Sequence, residues 1–272
     1  MALTLFLLGA LALAVWLASA PWRARRRRAR LRARPLPAQW RAFVAARVPQ
    51  AAALPGPLQK RLAGHMQVFL ADKRFVGCEG LVVTDEMRVT VAAQACLLLL
   101  GRAGEVFPGV HEILLYPGAF VVQRTRPGVA GVVHEERRVL AGEAWGHGQI
   151  VLSWADVLAG AATPDDGHNL VIHEFAHALD QEAGAANGAP VLGPRIAPER
   201  WAQVMGEAYA ALQWRAAAGE PTLLDPYGAS DPAEFFAVAS EVFFEQPARL
   251  ATEHGALYRA LADYYQLEPL RW

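Results

Sequence analysis

The sequence predicts an α+β fold, mostly helical, with a small mixed or antiparallel sheet in the middle and one membrane-spanning helix in front. Three observations carry this expectation. Apolar residues recur at helical spacing over about 39–100 and again over about 168–265. The stretch between them, 111–154, breaks into short β-rich runs. Ala2 to Trp22 contains no charged residue. Helices, then strands, then helices is the pattern of an α+β domain, and 272 residues are ample to bury a core.

The uncharged N-terminal run, if helical throughout, reaches about 31 Å, the thickness of a bilayer's hydrocarbon core. Ala18-Ser19-Ala20 resembles a signal-peptidase site, which would make the chain a secreted protein. A secretory signal carries its positive charge ahead of the apolar stretch, however, and here all of it comes after. Arg23, Arg25, Arg26, Arg27, Arg28, Arg30, Arg32 and Arg34 come directly after the run. Positive charge is retained on the cytoplasmic side, so the expected topology is a single-pass anchor in the cytoplasmic (inner) membrane with the domain in the cytoplasm. The arginines then suit anionic lipid headgroups, and Pro35 and Pro37 close this stem. The expected organisation is an anchor over 1–22, an Arg-rich stem over 23–37 and one folded domain over 38–272.

Within that domain, Gln39–Val48 and Pro57–Ala71 read as helices. Leu81-Val82-Val83 is a strand candidate, and Thr84 caps a helix running toward Leu100. His111–Tyr116 and Ala119–Val122 flank Pro117-Gly118 and suggest a tight hairpin or a bent strand. Arg137–Leu140 and Gln149–Trp154 are further strands, and a short helix begins near Asp156. The rest is helical, over about 168–183, 198–218, 231–246 and 252–265.

The chain has 26 basic and 26 acidic residues, yet the first 34 hold eight of the arginines and no acid. The remainder of the chain is acidic, which argues against nucleic acid as a partner. Cys78 and Cys96 are the only cysteines, and they read as reduced residues in or near the core, in a thiol-maintaining compartment.

The chemistry concentrates at His173-Glu174-Phe175-Ala176-His177, an H-E-x-x-H pattern on an apolar helix. Residues i and i+4 lie one turn apart and about 40° round, so both imidazoles face one metal ion. Glu174 is turned about 100° from His173, off the ligand pair but near a water that zinc would acidify. Two histidines and a glutamate in a buried helix are costly without a metal or partners. Asp180 is placed to accept the free N–H of a ligating imidazole, or is simply a polar residue at a helix end. A catalytic zinc needs a third protein ligand and an open position. The best source is the helix after Asp231-Pro232, which carries Glu234 and Glu241. Seven residues apart, they share a face, so spacing does not choose between them. Glu234 also fits a capping box with Asp231. Tyr227 stands in the loop before this helix, where a phenol can polarise a substrate carbonyl.

His173 through Asp180, Tyr227 through Glu234, Phe236-Ala237-Val238 and Tyr264-Tyr265-Gln266 together resemble the Mlc titration factor A family. So do His111 through Pro117, Phe120-Val121-Val122 and Ile150 through Trp154. The resemblance covers roughly residues 40–270. It implies a zincin-like, gluzincin-type metallopeptidase with aminopeptidase-like activity, its site related to the catalytic domain of anthrax lethal factor. One zinc ion per chain would be held by positions matching His173, His177 and Glu234, with His134 added to the metal site by the resemblance alone. Glu174 matches the base and Tyr227 the loop tyrosine. The implied partners are a peptide or protein substrate and the repressor Mlc. The second supports an alternative function, a regulatory protein that sequesters a transcriptional repressor and uses zinc structurally. The anchor and Arg-rich stem depart from the family's better-known members. A peptide would lie along an edge strand, with Gln149–Trp154 as the candidate.

Overall fold

A computed structural model describes residues 1–127, 133–140, 142–145, 148–194 and 196–272, with 120–127, 133–140 and 142–145 described as backbone. Twelve helices and six strands follow one another among these residues. At the front are α1 (Ala2–Ala18), α2 (Ala20–Arg32), α3 (Ala38–Arg47), α4 (Pro49–Ala52) and α5 (Gly56–Asp72). The middle holds β1 (Arg74–Gly77), α6 (Asp85–Ala95), β2 (Glu112–Tyr116), β3 (Phe120–Pro127), β4 (Val133–Leu140), β5 (Gly142–Trp145) and β6 (Gln149–Ser153). The chain ends in α7 (Trp154–Ala162), α8 (Leu170–Asp180), α9 (Pro198–Ala217), α10 (Pro232–Glu245), α11 (Pro247–Glu253) and α12 (Gly255–Tyr265).

The fold is mostly helical, but the sheet departs from expectation. Strands β1, β2 and β6 run parallel, and β5 joins the far side of β6 antiparallel, giving the order β1-β2-β6-β5. The expected hairpin at Pro117-Gly118 does not form. Ile113 and Leu115 are fully buried, so β2 takes the sheet interior between two parallel neighbours. The turn then sends the chain out into a separate antiparallel ribbon, β3 with β4. Leu81–Val83 is not a strand either, because Glu79 (φ 49°) and Gly80 (φ 78°) turn the chain left-handed just before it and leave Val82 exposed. The strand there is β1, directly after α5, and α6 crosses over from it to β2 as a parallel pair requires. Thr84 does cap α6, its hydroxyl accepting from the Met87 amide.

The core lies between the sheet and α5, α6, α8 and α10. Phe175 of α8 packs on Phe107 and Phe69, with ring centroids 4.6 and 5.5 Å apart. Phe243 and Phe244 of α10 pack on Tyr265, whose hydroxyl donates to the Ser240 hydroxyl at 2.7 Å. Cys78 and Cys96 are both free thiols.

Among the described residues no single helix is long and apolar enough to cross a membrane. Taken together, α1 and α2 have the length and composition to do so, with a 45° bend between them. The arginine stem does not stand apart from the body, since α2 lies against α5 and pairs with it through Arg28 and Asp72 at 2.9 Å.

Candidate metal centre

Helix α8 is built to carry one polar stripe on a buried rod. Asn169 caps it, its side-chain oxygen accepting from the Ile172 amide at 3.1 Å. Val171, Ile172, Phe175, Ala176 and Leu179 are fully buried and fix the helix's rotation. With that face committed to the core, His173 and His177 are left facing α10.

Helix α10 meets them at its first turn. Asp231 caps it by accepting from the amides of Ala233 and Glu234 at 2.8 and 3.0 Å, and Pro232 takes the position where no N–H is needed. Gly188 (φ 75°) lets the loop after α8 run against this turn, where an added Cβ would fall 2.4 Å from the Pro232 carbonyl oxygen. The Glu234 side chain is thus free of capping duty. Its Oε2 lies 3.0 Å from His173 Nε2 and 3.2 Å from His177 Nε2, and the two nitrogens are 3.2 Å apart. A tetrahedral zinc with bonds near 2.0–2.1 Å separates its ligands by about 3.3 Å, so this triangle is the right size for one ion. Among the described residues His173, His177 and Glu234 are the grouping able to hold one.

The donor set agrees. His173 Nδ1 is 2.8 Å from Glu241 Oε1, while the Asn169 amide donates to the other Glu241 oxygen at 2.6 Å. A carboxylate on Nδ1 fixes a proton there and leaves Nε2, which faces Glu234 and His177, as the nitrogen that takes a metal or a second proton. Burial disfavours a cation at His173, yet hydrogen bonds to Glu234 and Glu241 outweigh it and hold the ring well above its usual pKa. Burial likewise opposes charge on Glu234, but hydrogen bonds to both histidines hold its carboxyl well below the usual range. A pocket that draws positive charge between two imidazoles and a carboxylate has the chemistry of a cation site.

Spacing left Glu234 and Glu241 as alternatives, and the structure uses both, on opposite edges of one imidazole. Of the two readings of Asp180, the structure takes the polar residue at the helix end. It accepts from the backbone amides of Asn187 and Gly188 at 2.8 and 2.7 Å and tethers the loop after α8, with no imidazole hydrogen bond among the described residues.

Glu174 is 4% exposed, and its Oε2 has no hydrogen-bond partner. Burial raises its pKa to about 7, against the pull of His173 and His177. A carboxylate near neutrality, unpartnered and one position from a ligand, is suited to holding a proton taken from water. Tyr227 lies in a short 3-10 turn, Pro226–Ala229, with its ring centroid 6.2 Å from that of His173. Desolvation and the nearby Glu234 charge push its pKa up to about 12, so the phenol keeps its proton as a donor. The backbone of His134 lies in β4 opposite Arg126, and its side chain lies outside the described residues.

Two partners had no signal in the sequence. Asn169 Nδ2 donates to Glu245 Oε1 at 3.0 Å and to Gln94 Oε1 at 2.9 Å, linking α6, α8 and α10 behind Glu241. Asn169 stands four residues before His173, which puts it on the same helix face, and nothing in the spacing marks Gln94 or Glu245. The edge strand is also not the expected one. Strand β6 is enclosed by β2 and β5, and the sheet's edges are β1 and β5, of which β5 lies beside α8. A cleft of about 640 Å³ opens beside the C-terminal half of α8, lined by Ala178, Gln181, Glu182, Val191 and Gly148 among others.

The sequence profile of the glucose-regulated metallo-peptidase M90 family matches residues 22–266. The chain belongs to this family. A Synechocystis protein that carries no functional name is 43% identical over 238 residues, 87% of this chain and 86% of that one. Mlc titration factor A of Pectobacterium atrosepticum is 36% identical over 234 residues, 85% of this chain and 86% of its own. Its counterpart in Yersinia pestis is 35% identical over 242 residues, 86% and 88% of the two chains. The match begins at Trp22, so the M90 fold takes in α2 and leaves α1 outside.

Proposed function

We propose that this M90 chain is a zinc-dependent, aminopeptidase-like peptidase held at the cytoplasmic face of the inner membrane. The observation that carries the reading is the convergence of His173, His177 and Glu234 within about 3.2 Å of one another, next in sequence to Glu174, whose buried Oε2 has no hydrogen-bond partner. Zinc bound there supplies Lewis acidity toward water and a peptide carbonyl. Glu174 takes the water's proton and returns it to the leaving amine. Tyr227 donates to the oxyanion of the addition step from the mouth of the site. Glu241 holds His173 in the tautomer that leaves Nε2 free. A peptide backbone pairs with the open edge of β5, and its side chains reach the cleft beside Ala178 and Gln181.

The test is Glu174→Gln. It should keep stoichiometric zinc and lose hydrolysis of aminoacyl and short peptide substrates by at least about two orders of magnitude. Loss of zinc together with activity would place Glu174 among the ligands instead.

The relatives named as titration factors of Mlc support a second reading, capture of a transcriptional repressor. A purely structural zinc calls for four protein ligands, and among the described residues three converge. Repressor binding that survives in Glu174→Gln while hydrolysis is absent from the parent would favour this second function.

A further inference from the structure

The arginines of α2 divide into two sets with different surroundings. Arg27 and Arg28 pair with Asp72 at the end of α5, Arg28 also meets Glu105 at 2.5 Å, and Arg32 donates to the Gly104 carbonyl at 2.8 Å. Gly64 of α5 permits this close approach, since an added Cβ would stand 3.1 Å from the Arg32 carbonyl oxygen. The other set faces away. At about 100° per residue, Arg26 and Arg30 lie roughly 160° round the helix from Arg28, with Trp22 on the same outer side. Arg25, Arg26 and Arg30 are exposed and have no acidic partner among the described residues. The Arg26 guanidinium lies 4.0 Å from the Trp22 ring centre, and Arg23 lies 4.7 Å from that of Trp16. Two exposed tryptophans therefore bracket the bend at which the apolar α1 meets the basic α2, the arrangement of an aromatic belt at a membrane–water interface.

We propose that α2 is an interfacial helix whose outer face, Trp22, Arg26 and Arg30 with Arg25 on its flank, lies on an anionic phospholipid surface. Arg27, Arg28 and Arg32 meanwhile hold it to the enzyme body. The inference rests on the membrane-anchored reading above in needing α1 within the bilayer. Its consequence is orientation. The rest of the chain, with 18 basic against 26 acidic residues, is repelled by the same surface within a Debye length of about 8 Å. The body is then held at one angle to the bilayer and does not swing on a loose stem.

The test uses the full chain with Cys78→Ser, a nitroxide on Ala29→Cys, and vesicles of phosphatidylcholine with or without phosphatidylglycerol. The chain should float with both kinds of vesicle through α1. The label should report headgroup depth only with phosphatidylglycerol and return to water in high salt. Replacing Arg25, Arg26 and Arg30 together by Gln should abolish the headgroup depth without loss of flotation. Equal depth in both vesicles, or an unshifted label in the triple variant, overturns the proposal and leaves the anchor standing. Failure to float overturns both. Displacement of the label from phosphatidylglycerol vesicles by duplex DNA assigns the face to nucleic acid and also overturns it.

Discussion

An imidazole has two nitrogens, and at His173 each meets a different glutamate of α10. Glu234 lies on the Nε2 side with His177, Glu241 on the Nδ1 side with the Asn169 amide. Two acids seven residues apart stand about 10 Å apart along a helix, and a ring inserted between them touches both. With Glu234 as a ligand and Glu241 as an outer partner, the two should differ in magnitude. Zinc dissociation constants should rise by roughly 10–100-fold for Glu241→Ala, the usual effect of removing a partner behind a ligand, and by far more for Glu234→Ala. Titration of both variants with a chromophoric chelator checks this. Parent-like affinity in Glu234→Ala would return that residue to the role of helix cap.

At the scale of elements, what couples α8 to α10 is a buried carboxylate pair bridged by Asn169. Burial raises the Glu245 pKa to about 8 despite the Asn169 and Gly167 donors, with Asp166 and Glu241 adding negative charge nearby. A carboxyl that holds its proton more tightly folded than unfolded stabilises the fold fully below its unfolded pKa, about 4.3. That contribution is lost as pH rises toward 8. Urea denaturation at pH 5, 6.5 and 8 should therefore show stability falling with pH in the parent and a flatter profile in Glu245→Gln. An equally steep profile in that variant would place the titrating group elsewhere. The strands teach a different lesson at this scale. Their β-rich runs were legible at 112–116 and 149–153, but their partners were not. Parallel pairing joins residues 37 positions apart, such as Glu112 with Gln149, and no local spacing reports it.

For the whole molecule, the proposed topology follows from how charge is distributed along the chain. Eight arginines come after an uncharged run, and the acidic remainder lies beyond them. A reporter fused after Trp272 should behave as cytoplasmic, because positive flanks stay inside. Alkaline phosphatase activity at that position, or a mature chain beginning at Pro21, would reverse the orientation or remove the anchor. The docking of α2 on α5 adds that the stem moves with the body, so reporters placed after Arg34 and after Trp272 should agree.

The sequence by itself determined the H-E-x-x-H helix, the pair of acids on α10 and the helical ends of the fold. Each of these is a local pattern, written in spacings of three, four or seven residues that a helix converts directly into a shared face. The tertiary structure alone decided which glutamate meets which nitrogen, that Asp180 tethers a loop, and that β6 is enclosed while β1 and β5 form the edges. It alone decided that Arg27, Arg28 and Arg32 of α2 are bound to the body. These outcomes depend on contacts between elements distant in the chain. They are settled by burial of Ile113, Leu115 and Phe175, which fixes how each face turns before any polar group finds its partner.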